Sequence, residues 1–168
     1  LPCVYVNTQD FDSKSDFKLN SADRSVAPDD DATPRVKFIY EARSHRMVHE
    51  HLIRFFHGFN HDAHPMAIMV GVVGALSAFY NDGLDIRDPL QRDLAAIRVF
   101  GKMTTLAAMA YKTAHGEPIV YPRDDLNFAE NFLYMMFARP TRPYALDPVA
   151  ARCLEVILML HADHEQNA

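Results

Sequence analysis

Apolar positions along the chain recur at helical rather than strand spacing. From Pro34 onward, Val36, Phe38, Ile39, Met47, Val48, Leu52, Ile53, Phe55 and Phe56 predict one amphipathic helix from about Val36 to Phe56, ended by Gly58. "DAHPM" predicts the next start, with Asp62 or His64 as cap and Pro65 in the first turn, where its missing N–H costs little. That helix should run to about Tyr80. Asp88 and Pro89 open another through Leu94, Ile97 and Phe100, which Gly101 should break or bend before "TTLAAMAYKTAHG", with Gly116 as its C-terminal glycine. "EPIVYPR" reads as an extended connector, after which Asp124 or Asp125 should start a helix through Phe128, Phe132 and Met136. Asp147 and Pro148 repeat the cap-plus-proline start before "VAARCLEVILMLHADH". That run is apolar nearly all round and is expected to be buried. No stretch alternates with period two, so the class expected is all-α and multi-helical.

Residues 1–34 break this pattern. Asp, Ser, Lys and Pro dominate them and leave no continuous apolar face, so a disordered or loosely attached segment is expected there. The chain has 168 residues, 49% of them hydrophobic, enough for one domain with a sizeable core over residues 35–168. A net charge of −5 argues against a nucleic-acid surface. The most apolar window, Met66 to Phe79, is shorter than the roughly 20 residues of a membrane span. Cys3 and Cys153 show no paired spacing, and with no signal-peptide pattern a reduced, cytoplasmic setting is the simplest expectation.

Two histidine groups invite chemistry. His45, His49, His51, His57, His61 and His64 include pairs three and four apart, but Gly58 interrupts them and no HExxH accompanies them, so no metal site is expected. In "HADHE", His161 and His164 share one helix face and could donate to a carboxylate or polarise a carbonyl; spacing alone favours a polar helix end. Among the cations, Arg98, Lys102, Lys112, Arg123, Arg139 and Arg142 could meet phosphate, yet no glycine-rich cradle is present, and most read as surface charges.

Four segments, "HDAHPMAIMVGVVGALSAFY", "AAIRVFGKMTTLAAMAYK", "PIVYPRDDLNFAENFLYMMF" and "LMLHADHEQNA", closely resemble citrate synthase of the bacterial, hexamer-forming, NADH-sensitive type. The likeness runs from about His45 to Ala168, and nothing in residues 1–42 aligns. It implies the large helical domain of an acyltransferase that condenses acetyl-CoA with oxaloacetate and water to citrate and CoA in the tricarboxylic acid cycle. It also implies a homo-oligomer, a dimer-based hexamer, and no cofactor. His164 matches the family histidine that contacts oxaloacetate, with His161 as a possible neighbour. The family's "HGGAN" and "GHRVYK" histidines, its later catalytic Asp and its CoA-binding region have no counterpart here. The expectation is therefore an internal fragment, inactive and prone to self-association by itself. The alternative is a non-catalytic oligomerisation or nucleotide-binding module. Allosteric NADH positions map to His45, Met47, Tyr80, Arg98 and Lys102, which keep the family residue. They also map to Arg46, Asp124, Arg139 and Thr141, which replace Thr, Asn, Thr and Cys. An Asp near a dinucleotide phosphate repels it, whereas the two arginines attract it.

Overall fold

The computed structural model describes residues 34–81 and 85–162. The unusual segment before Pro34 and the proposed substrate histidine His164 both lie outside them. Six helices follow one another: α1 (Pro34–Ser44), α2 (Glu50–Phe56), α3 (Pro65–Leu76), α4 (Pro89–Ala114), α5 (Phe128–Phe137) and α6 (Pro148–Ala162). Among the described residues there is no strand, only an isolated bridge between Arg139 and Arg142, so the all-α expectation holds.

Three of the proline starts form as the sequence dictates. His64 Nδ1 accepts from the Met66 N–H, Asp88 from Leu90 and Asp147 from Val149, each satisfying an amide that the first turn leaves without an intrahelical partner. Gly116 follows the C-cap of α4 with φ +63°. Its N–H bonds to Thr113 O while that of Glu117 bonds to Lys112 O, a Schellman closure that glycine enters without penalty.

Helix α4 is the axis, packing against α1, α2, α3 and α5, whereas among the described elements α6 packs only on α5. The core sits where Leu52 and Phe56 of α2 and Ile68, Val72 and Leu76 of α3, each set four apart, meet Leu106, Met109 and Ala110 of α4. Phe38, Phe100 and Phe128 join α1, α4 and α5 through ring pairs with centroids 5.5 and 5.4 Å apart.

Five sequence expectations are corrected. The helix expected over Val36–Phe56 is two helices, because residues 46–49 run extended, with His45 O and Met47 O bonded by Lys102. His49 then caps α2 by accepting from the His51 N–H. Helix α3 stops at Leu76 rather than Tyr80, where the Ser77 hydroxyl donates to Gly74 O. Gly101 neither breaks nor bends α4: a Cβ there would lie 2.3 Å from Ala42 O, so the glycine lets α1 cross in backbone contact. Helix α5 starts after Asn127, not Asp124 or Asp125, because Asn127 and Glu130 form a reciprocal capping box. The buried Asn131 side chain also bonds Arg123 N, Arg123 O and Leu126 O, holding the two aspartates in a loop. Finally, α6 is not buried: Ala151 is, but Val149, Val156, Ile157, Leu158, Met159 and Leu160 are exposed, because one neighbouring helix covers only one side.

Candidate functional site

The connector between α1 and α2 meets the middle of α4 at a basic, aromatic junction. Lys102, 2% exposed, reaches back across α4 and donates from Nζ to His45 O at 2.6 Å and Met47 O at 2.7 Å. Its ammonium sits 5.1 Å from the Tyr80 ring centroid, and the Arg98 guanidinium lies 5.0 Å from the same ring. Burial, and then the neighbouring Arg98 charge, push the Lys102 ammonium down to about 8. The structure thus brings together His45, Met47, Tyr80, Arg98 and Lys102, residues up to 57 positions apart in the chain.

Beside this junction, Arg46 is almost wholly buried. Its Nη2 donates to Asp124 Oδ1 at 3.1 Å, while Nε and Nη1 reach Arg43 O and Arg123 O. Arg43 adds a bond to Leu126 O, so both arginines bind the loop before α5 to the end of α1. Arg46 and Asp124, which the resemblance alone marks as departures, therefore engage each other. With its side chain 93% exposed, Asp124 adds little energy through the pair, but its charge is offset where the sequence alone suggests repulsion.

Arg139 and Thr141 are placed elsewhere. Arg139 pairs with Glu117 just past the C-terminus of α4, whose last residue, Ala114, is roughly 18 Å along the helix from Lys102 at about 1.5 Å per residue. Glu117 also accepts from the fully buried Lys112 at 2.6 Å, and Lys112 donates to Ala138 O at 2.8 Å. Lys102 and Lys112 are thus interior cations rather than the surface charges expected. This second cluster was missed in the sequence; a lysine one turn before a glycine-closed helix end, with Glu immediately after the glycine, is the signal that could have found it. The Lys112 hydrogen bond holds the Glu117 carboxyl below its ordinary value of 4.5. A depressed carboxyl contributes stability above its unfolded value that is lost as pH falls through the folded one. Acid titration of unfolding should therefore show a loss of stability beginning near 4.5 that Glu117→Gln removes.

His161 is exposed at the end of α6, its Nδ1 bonded to Ile157 O at 2.8 Å, so within the described residues it serves its own helix. Among those residues no three His, Cys, Asp or Glu side chains converge as a metal set. None of the helices is long and apolar enough to cross a membrane.

Six helices with no strand among the described residues are consistent with the all-α domain of a citrate synthase. The citrate synthase C-terminal domain model matches residues 30–168, and the chain belongs to the citrate synthase family. The crystal structure of citrate synthase from Pyrobaculum aerophilum matches 80% of this chain at 33% identity with a TM-score of 0.65. The matched region is 35% of that enzyme, so this chain spans about a third of it. The family works without a cofactor.

Proposed function

We propose that this chain is part of the large helical domain of a citrate synthase. The complete enzyme would condense acetyl-CoA with oxaloacetate and water to citrate and CoA. The match over residues 30–168 carries this reading. His164 is the oxaloacetate-binding residue, with His161, three positions before it in the chain, as its neighbour. The complete protein works in the cytoplasm as a homo-oligomer built from dimers, a hexamer in the NADH-sensitive type. The apolar residues left exposed on α3 and α6, among them Val70, Val149 and Leu160, fit such contacts. Because the chain spans only a third of the solved enzyme, catalysis belongs to the longer protein. In that protein, His164→Ala should lower kcat/KM for oxaloacetate by about a hundredfold, and unchanged steady-state kinetics would refute the assignment.

The junction of His45, Met47, Tyr80, Arg98 and Lys102 is the proposed site for NADH as an allosteric inhibitor. The Arg98 guanidinium against the Tyr80 ring is suited to an anionic nucleotide. The same observation supports the second reading, a non-catalytic nucleotide-binding or oligomerisation module, which predicts NADH binding without synthase activity.

A further inference from the structure

We infer that Lys102 is not an anion ligand but the positioning residue of the 46–49 connector: through its bonds to His45 O and Met47 O it fixes the course of the connector against α4, at the Tyr80 ring that its ammonium also covers. The role toward nucleotide rests on the NADH reading above; the latch itself does not.

The donor geometry carries this. A lysine ammonium has three N–H donors. Two of them end on backbone carbonyls at 2.6 and 2.7 Å, short, charge-assisted bonds, and the ammonium also lies over the Tyr80 ring. Only 2% of the residue is exposed. A phosphate reaching Nζ would have to enter a covered position and displace at least one of these carbonyls, which would then lose its partner. The two accepting carbonyls are not interchangeable with solvent-exposed ones. They lie where α1 has ended and α2 has not begun, so neither belongs to a regular helical ladder. Gly101, the adjacent residue, completes the arrangement. Its missing Cβ admits Ala42 O, and a Cβ there would also stand 3.3 Å from His45 Cβ. One residue brings the end of α1 against α4 and the next ties down the chain that leaves it.

The test compares wild type, Lys102→Met and Lys102→Arg in the 168-residue chain by amide hydrogen exchange and NADH titration. Exchange is read at Arg46 and Leu52, whose N–H groups bond Arg43 O and His49 O at either end of the connector, with Met109 in α4 as reference. Both variants should exchange at least about tenfold faster at Arg46 and Leu52 with Met109 unchanged, and both should bind NADH at least about tenfold more weakly. Restoration of wild-type NADH affinity by Lys102→Arg would overturn the inference, because retained charge would then suffice, and so would unchanged exchange in Lys102→Met. If wild type binds no NADH, the nucleotide reading fails and the latch is decided by exchange alone. Should the variants not fold, lysine side-chain NMR of wild type decides. The Lys102 ammonium should titrate at the same pH with and without NADH, and an upward shift of about one unit or more on binding would mark direct anion contact and overturn the inference.

Discussion

Phe56→Ala is expected to destabilise the domain by about 3–5 kcal/mol, the range for removing a fully buried aromatic side chain. The ring is wholly inaccessible at the end of α2, in the cluster formed with Ile68, Val72 and Leu76 of α3 and Leu106, Met109 and Ala110 of α4. Helix α2 spans only seven residues, too short to be stable by propensity, so its position depends on what Leu52 and Phe56 bury. Loss of Phe56 should therefore free α2 together with the connector that precedes it. Denaturant unfolding of the variant and wild type gives the number, and a cost below about 1 kcal/mol would show that α2 is not held in this way.

Gly101→Ala is expected to cost about 2 kcal/mol, although the same change in an ordinary helix interior gains about 1. The sign is set by Ala42 O, which would stand 2.3 Å from the new methyl group. A backbone carbonyl cannot rotate out of the way, so α1 must lift from α4, at the upper end of the roughly 1–3 kcal/mol range for overpacking. Gly74 in α3 is the internal comparison: a Cβ there meets nothing within 4 Å, so Gly74→Ala should be neutral or stabilise by up to about 1 kcal/mol. Paired thermal melts decide the point. If both alanines raise the melting temperature, close approach at Gly101 is not the reason for its glycine.

These contrasts mark what the sequence could reveal. Local chemistry was legible: His64 with Pro65, Asp88 with Pro89, Asp147 with Pro148, and Gly116 each declare a helix end through the hydrogen bond or φ value they supply. What depended on distant partners was not. The break between α1 and α2 is set by Lys102, 57 positions from His45 O, while the apolar spacing runs on through it. Gly101 reads as a helix breaker until Ala42 is placed against it. The start of α5 was obscured because two aspartates precede Asn127, and only the buried amide of Asn131 shows that they belong to the loop. The apolar run of α6 is a true feature of the sequence, but apolarity states what a surface would bury and not which neighbour is beside it.

The candidate site divides in the same way. No spacing rule selects His45, Met47, Tyr80, Arg98 and Lys102; they were chosen by likeness to the family, and they meet in space. The likeness did not foresee that Arg46 and Asp124 would pair with each other, or that Arg139 would be held by Glu117 beyond the far end of α4.

The most direct test of the assignment is a thiol-release assay with acetyl-CoA and oxaloacetate, run on the 168-residue chain and on the protein extended through its downstream reading frame. Release of CoA that requires both substrates, and occurs only in the longer protein, is the expected result. Absence of activity in both would contradict the enzyme reading in favour of the non-catalytic module. Activity in the 168-residue chain alone would contradict the placement of the catalytic groups outside it.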